Sequence, residues 1–293
     1  MSPDWTVLLG RLADELTEKG KLVSPRWQAA FRATPRHLFV PEYFEQERTG
    51  DWRRIVVDDA ALAAIYRNVA MFTDVDGDGR GVSSSSEPGL MTRMLELLDV
   101  RDGDQVLEIG TGTGYNTALL CAGLDDRQVS SIDIDYVDAA RRRLESLGYR
   151  PTLCTGDGVA GIPHRAPFDR IISTVAVRRI PEAWLDQLAD GGTVLADVKL
   201  NPAAGNLVLL RKGGDVAEGR FDAGQAWFMS CATPTSRAPS PPLSLPARHT
   251  ARPPCPPSPG TSQCRGSWRA WQSTRPSTSA TASTTTVARR PHE

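Results

Sequence analysis

Glycines alternate at Gly110, Gly112 and Gly114, directly after the apolar run Val106-Leu107-Glu108-Ile109 and ahead of a helix-compatible stretch that begins Tyr115-Asn116. That order reads as a strand, a tight turn and a helix N-terminus. Residues without a Cβ let the backbone take positive φ and leave peptide N–H groups open to a ligand, the chemistry of a nucleotide-binding turn. The same glycines also suit plain packing of a strand against a helix, so the turn alone does not decide its role. About 20 residues further on, Asp133 closes the run Val129-Ser130-Ser131-Ile132. In a doubly wound sheet, an acid at the end of the second strand reaches the ribose hydroxyls of a nucleotide held at the first turn. Asp135 competes for that role or caps a helix starting at Tyr136.

The glycine pattern also separates one nucleotide class from another. The dinucleotide fingerprint spaces its last two glycines by three residues, whereas all three alternate here and Glu108 stands two positions before the first. A carboxylate there repels a pyrophosphate but can face an amino group through water or N–H contacts, which fits S-adenosylmethionine. Asp157-Gly158 is a further turn-borne acid, and as a dipeptide it is also an ordinary β-turn. Ser83-Ser84-Ser85-Ser86, ahead of Glu87-Pro88, either cap and loosen the helix that follows or line the mouth of the glycine turn. Asp74-Val75-Asp76-Gly77-Asp78-Gly79 opens like a calcium loop, but its twelfth position is Ser85 where a bidentate glutamate is required. A solvated acidic turn is the better reading.

The elements that must position these residues follow from periodicity. Trp5, Leu8, Leu9, Leu12 and Leu16 recur at helical spacing, and Ser24-Pro25 supplies a cap and a first-turn proline for a second helix through Trp27, Ala30 and Phe31. Leu90, Met91, Met94, Leu95, Leu97 and Leu98 mark a helix just before the glycine unit. From residue 105 to about 229, apolar runs at 106–109, 129–134, 152–154, 170–173 and 193–198 alternate with amphipathic stretches at 115–123, 136–147 and 181–189. Such alternation predicts a parallel sheet covered by helices on both faces. The runs 207–210 and 225–229 then read as a closing antiparallel pair around Lys212-Gly213-Gly214-Asp215.

Composition excludes several classes. No run reaches the roughly 18 apolar residues of a membrane span, and the N-terminus lacks a basic-then-apolar export signal, so the expectation is no membrane and a cytoplasmic location. The five cysteines and four histidines show no metal-ligand spacing, and no metal is expected. Residues 231–293 carry eight arginines, no lysine and one acid; setting their seven positive charges against the net −1 of the chain leaves about −8 on residues 1–230. A body so acidic argues against a phosphate-backbone surface, and no nucleic-acid partner is expected. The tail itself is rich in Pro, Ser, Thr and Arg, without an apolar period, so disorder is the physical expectation. A shifted reading frame in a GC-rich gene and a Pro-rich linker both account for the abrupt change after Phe228-Met229.

Taken together, residues 106–116, the acid within 132–135, Thr155-Gly156-Asp157-Gly158 and residues 168–174 resemble successive motifs of protein-L-isoaspartate O-methyltransferases. Upstream, Ala33-Thr34-Pro35-Arg36-His37-Leu38-Phe39-Val40-Pro41 and Ser84-Ser85-Ser86-Glu87-Pro88 are similar to two segments particular to that family, so the resemblance spans roughly residues 24–200. It implies a Rossmann-like α/β fold of the class I S-adenosylmethionine-dependent methyltransferases, with a mostly parallel sheet, helices on both faces and an N-terminal helical extension. The expected organisation is a helical extension and substrate-side loop over 1–100, the cofactor domain over 101–230 and the tail over 231–293. Carried over by position, Glu108, Gly110, Gly112 and Gly114 would surround the methionine part and sugar of the cofactor. Asp133 would hold the ribose, Asp157 with Gly158 would contact the adenine, and Ser86 would sit beside the transferred methyl. The acceptor implied is an aspartyl or isoaspartyl carboxylate of a peptide or protein. A carboxylate is already a nucleophile, so alignment rather than a strong base would supply much of the rate, with effective molarities worth up to roughly 7–11 kcal/mol.

Departures refine the expectation. Where the repair enzymes follow Gly191-Gly192 with an apolar strand and a proline-valine-glycine turn, this chain has Thr193-Val194-Leu195-Ala196-Asp197-Val198-Lys199. The serine run, the insertion around 74–80 and Val175-Ala176-Val177-Arg178-Arg179-Ile180-Pro181 look like actinobacterial homologues that accompany ATP-grasp ligases in ribosomal peptide maturation. The connection Asp135-Tyr136-Val137-Asp138 is two residues shorter than is usual in them. Maturation, with an ATP-grasp ligase as pathway partner, is therefore the leading reading. General isoaspartyl repair, a non-catalytic peptide-binding homologue and an inactive remnant of a frameshifted gene stand as alternatives.

Overall fold

The computed structural model describes residues 4–201, 204–231 and, for the backbone, 284–288. The chain opens with α1 (Trp5–Glu18), whose N-cap Asp4 accepts from the Thr6 amide and whose face Leu9, Leu12, Ala13 and Leu16 is buried. In α2 (Pro25–Ala33) the first-turn proline is in place, but the Ser24 hydroxyl turns to Glu96 instead of capping its own helix.

Residues 42–85 depart from the expected helical extension. They form a four-stranded antiparallel sheet of β1 (Glu42–Gln46), β2 (Trp52–Val56), β3 (Met71–Val75) and β4 (Gly81–Ser85), in the order β2-β1-β3-β4, with the short α3 (Leu62–Ile65) between β2 and β3. The β3–β4 tip is the acidic turn, closed by the Asp76 carboxylate on the amides of Asp78 and Arg80. Nor does the core break at residue 100. Buried residues of α1 and α2 join Val106, Tyr115 and Leu119 in one apolar cluster, so the N-terminal segment and the cofactor unit share an interior.

After α4 (Pro88–Leu98) comes the alternation the sequence predicts: β5 (Val106–Ile109), α5 (Tyr115–Gly123), β6 (Val129–Asp133), α6 (Val137–Ser146), β7 (Thr152–Thr155), β8 (Phe168–Val177), α7 (Glu182–Gln187) and β9 (Leu188–Asn201). The strands β7, β6, β5, β8 and β9 lie side by side and parallel. Neighbouring residues divide between two cores: Val106, Ile172 and Leu195 point to one, and Leu107, Ile171 and Val194 to the other. Burial on both faces is what a covered parallel sheet requires. Strand order reverses at β5, and the glycine turn leaves that strand at its carboxyl end, where open α/β sheets bind ligands.

The closing hairpin differs from expectation in register. β10 (Ala204–Gly213) pairs with β11 (Val216–Ala226): the turn at 213–216 sets Val208, Leu209 and Leu210 opposite Phe221, Arg220 and Gly219, while of the expected partner run Gln225 and Ala226 join the ladder further along, opposite Asn206 and Gly205. Within the tail, β12 (Thr284–Ala288) adds an antiparallel edge to β11, against the expectation of disorder there; its Thr-Thr-Thr-Val sequence is β-branched throughout. The rest of the tail, 232–283 and 289–293, lies outside the described residues. No helix among the described residues is long and apolar enough to cross a membrane.

Candidate active site

All three glycines of the turn have positive φ, 95° at Gly110, 50° at Gly112 and 86° at Gly114, and they divide by what surrounds them. A Cβ on Gly110 would stand 2.8 Å from Thr174 Oγ1 and 2.9 Å from Val175 Cγ1, and one on Gly114 would stand 3.0 Å from the Ala140 Cβ. On Gly112 it would meet nothing nearer than the Ser84 carbonyl, 3.9 Å away. The expectation that all three surround a ligand therefore narrows: Gly110 and Gly114 make room for protein, and Gly112 alone of the three opens onto space. The turn is held from outside by the Thr174 hydroxyl, which donates to the Gly110 carbonyl at 2.6 Å, and by Arg143, which donates to the Thr113 carbonyl at 3.1 Å.

Glu108 lies beneath this turn rather than at its surface. It is fully buried, and its carboxylate accepts from Asn116 Nδ2 at 2.8 Å, Thr117 Oγ1 at 2.5 Å and Ser131 Oγ at 2.7 Å. Burial pushes its pKa up to about 7 even though these three donors favour the anion. The expected contact with the ligand is thus replaced by a tie between β5, the start of α5 and β6. The network continues to the turn through Ser131, whose hydroxyl also meets Thr111 Oγ1 at 2.7 Å.

The two outer acids end neighbouring strands. Asp133, the last residue of β6, accepts from the Gly112 amide at 2.8 Å, so it stands against the open glycine. Asp157 follows β7 and accepts from the Val159 amide at 2.9 Å, closing its own turn as the simple β-turn reading has it. Gly158 is gripped from behind, because the buried Trp184 indole donates to its carbonyl at 2.8 Å.

The serine loop comes to the same place from the other sheet. The Ser84 carbonyl faces Gly112, and Ser86, two residues on and half-buried, precedes α4. Glu87, at the helix N-cap, binds Lys21 Nζ at 3.1 Å and Asn68 Nδ2 at 3.0 Å, while Asn68 Oδ1 takes the Gly89 amide at 2.7 Å. The acidic hairpin docks on the far side, where the Tyr136 hydroxyl donates to Asp74 at 2.8 Å.

A strap that the sequence does not announce completes the mouth. Beyond β11 the chain crosses the end of β8: the Ala176 amide donates to the Met229 carbonyl and the Cys231 amide to the Ala176 carbonyl, both at 2.7 Å. Asp197 accepts from the Phe228 amide at 3.1 Å, and Lys199 donates to the Phe228 carbonyl. Desolvation raises the pKa of that buried aspartate. The strap sets Cys231 Sγ 3.5 Å from where a side chain on Gly158 would begin, so the body continues past the expected limit at 230. The one sequence signal for it is the apolar triplet Trp227-Phe228-Met229 at the end of the folded composition.

Known proteins are similar to this chain in sequence and fold. The family model described as Protein-L-isoaspartate(D-aspartate) O-methyltransferase matches residues 10–223. The chain is 33% identical over 195 residues to the protein-L-isoaspartate O-methyltransferase of Ignicoccus hospitalis, covering 65% of this chain and 82% of the relative. To that of Vibrio cholerae it is 33% identical over 218 residues, covering 73% and 91%. Among solved structures, a protein-L-isoaspartate O-methyltransferase superposes with a TM-score of 0.62 at 28% identity, over 76% of this chain and 65% of its own. A Plasmodium falciparum protein assigned to the same class and solved in complex with S-adenosyl-L-homocysteine superposes at 0.57 over 76% and 98%, and its 13% identity makes that a likeness of fold.

Proposed function

The chain belongs to the protein-L-isoaspartate O-methyltransferase family of S-adenosylmethionine-dependent methyltransferases, and on that premise we propose that it esterifies an aspartyl or isoaspartyl side-chain carboxylate of a peptide or protein. The observation that carries the reading is the meeting of the two halves of the mouth, the Ser84 carbonyl over Gly112, with Ser86 two residues further along the same loop. The space above Gly112, which a Cβ would enter, and the acids at Asp133 and Asp157 fit the cofactor. When bound, S-adenosylmethionine supplies a methyl group on a positively charged sulfur.

In this reading Gly112 and Asp133 line the sugar side of the cleft, and Asp157 with Gly158 the base side. Gly110, Gly114 and Glu108 hold the turn in shape from behind. Ser86 hydrogen-bonds the accepting carboxylate and orients one of its oxygens for attack. A carboxylate needs no proton removed before it attacks, which suits a serine that, among the described residues, has no histidine hydrogen-bonded to it.

Two specific features favour a biosynthetic acceptor over general repair. The β3–β4 hairpin, which carries the serine run, is docked through Tyr136 and Asp74, and Asp197 and Lys199 hold the strap at positions where the family resemblance leads one to expect an apolar turn. The proposed setting is ribosomal peptide maturation beside an ATP-grasp ligase, in the cytoplasm where both cosubstrates are made. General protein-L-isoaspartate repair is the second reading, favoured by the relatives' names.

Labelled S-adenosylmethionine offered with isoaspartyl peptides, and separately with a ligase-processed precursor, tests both. Base-labile label on either class of peptide supports carboxyl methylation, and preference between them sorts maturation from repair. Cofactor binding with no label on either would leave a peptide-binding homologue and overturn the enzymatic reading.

A further inference from the structure

Arg36, in the turn between α2 and β1, is fully buried although it carries a guanidinium. Such a group costs several kcal/mol to desolvate unless its donors are engaged. Here they are engaged by one hydroxyl and five backbone carbonyls. Nε donates to Ser85 Oγ at 3.2 Å; one terminal nitrogen donates to the carbonyls of Ile65 and Arg67 at 2.9 and 3.2 Å. The other reaches the carbonyls of Val69 at 3.0 Å, Ser85 at 3.1 Å and Ser86 at 3.1 Å. Its carbon also lies 6.0 Å from the ring centre of Tyr115, the first residue of α5.

The last two carbonyls belong to the peptide planes on either side of Ser86. Anchoring both planes to one nitrogen fixes φ and ψ of that residue, and with them the direction of its Cα–Cβ bond. Burial lowers the pKa of Arg36 to about 10, which leaves it charged at neutral pH. A buried cation answered by carbonyls adds little stability over an apolar filling of the same space, so its gain is in geometry.

We propose that Arg36 is a positioning residue for Ser86, setting the angle from which the serine hydroxyl meets the accepting carboxylate. The inference rests on the carboxyl-methylation reading. Through Tyr115 the same side chain ties the serine loop to the helix that begins at the glycine turn, so acceptor and cofactor sides keep a common frame.

A double-mutant cycle tests it, with Arg36→Lys made in the wild type and in Ser86→Ala. A lysine keeps the charge but cannot span both peptide planes. In the wild type, kcat should fall roughly 10- to 100-fold, with cofactor Kd within about twofold as expected when ground-state binding is untouched. In the S86A background the further loss should shrink to less than about threefold, because the serine it acts through is gone. Equal losses in both backgrounds, or a loss confined to cofactor binding, would overturn the proposal. Should Arg36→Lys not fold, Ser85→Ala removes the Nε acceptor and should give the same pattern at smaller size; its failure to change kcat would count against the proposal equally. Should the wild type methylate no carboxylate, the functional reading fails first. Backbone amide exchange then still reads the geometry: it should quicken at Ser86 and Glu87 in Arg36→Lys and stay unchanged at Gly112, and unaltered exchange at Ser86 would overturn the positioning role.

Discussion

At the glycine turn, the residues that shape the cleft come from consecutive strands of one parallel sheet, and the bonds that line it span short stretches of chain, Glu108 to Asn116 and Thr117 and Gly112 to Asp133, with Thr174 on the Gly110 carbonyl as a long-range brace from behind. At the serine loop, Ser86 stands where it does through Arg36, fifty positions upstream, and through Asn68, which belongs to neither strand nor helix. One half is built by repetition of a strand-turn-helix unit, the other by a polar hub that gathers distant segments. The difference teaches where each half is fragile. Local geometry fails through sterics and charge burial, whereas the gathered half fails by drifting out of alignment while the fold survives.

The largest test of that contrast lies within the glycines. Gly110→Val places a β-branched side chain at φ 95° and within 2.8–2.9 Å of Thr174 and Val175. It should cost about 3–5 kcal/mol of folding stability in denaturant titration. Gly112→Ala should cost only about 1 kcal/mol of stability, yet weaken cofactor binding at least tenfold by calorimetry. Equal stability losses at the two positions would erase the distinction between packing glycine and open glycine.

Next in size is the pH response of Glu108. Its folded pKa of about 7 lies above the unfolded value near 4.5, so the folded state holds the proton more tightly between those pH values. Stability should then fall as pH rises from about 4.5 to 7, by no more than about 3 kcal/mol, and level off above. Glu108→Gln should flatten that part of the pH–stability curve. A curve that keeps its slope in the variant would move the titration to another group.

The smallest effect belongs to the hairpin. Tyr136→Phe removes the hydrogen bond to Asp74 and should cost about 1 kcal/mol or less. In the gathered half this should appear as a severalfold rise in KM for the peptide with the cofactor Kd unchanged. A change in cofactor affinity instead would assign the hairpin to the local half.

The same contrast explains what the sequence disclosed. The parallel strands and the helices between them were legible because apolar period and glycine spacing are local signals, and Asp133 because its distance from the turn is set by the βαβ unit. The sheet of β1–β4 was not, since Glu-Tyr-Phe-Glu-Gln and Gly-Val-Ser-Ser-Ser carry weak alternation and pair only through tertiary context. Arg36 stood in a segment singled out for its family resemblance, but an arginine reads as a surface residue until its carbonyl partners are seen. Glu108 was legible as important and misplaced by one layer. Nothing in its spacing says whether a carboxylate faces a ligand or three hydroxyl and amide donors behind it.

The strap has a consequence for the protein as it is made. Ribosomal synthesis delivers the parallel sheet first, from β5 to β9, and the residues that wall its mouth, Phe228 to Cys231, almost last of the folded body. Until they emerge, Asp197 is a buried acid without its amide donor and Ala176 an edge without its partner. Competence of the cleft is therefore a late event in translation, and it is sensitive to what the message encodes directly after Met229. A protein cut short there would keep its interior and the bonds of Phe228 and Met229, and lose the closing bond from Cys231 to Ala176.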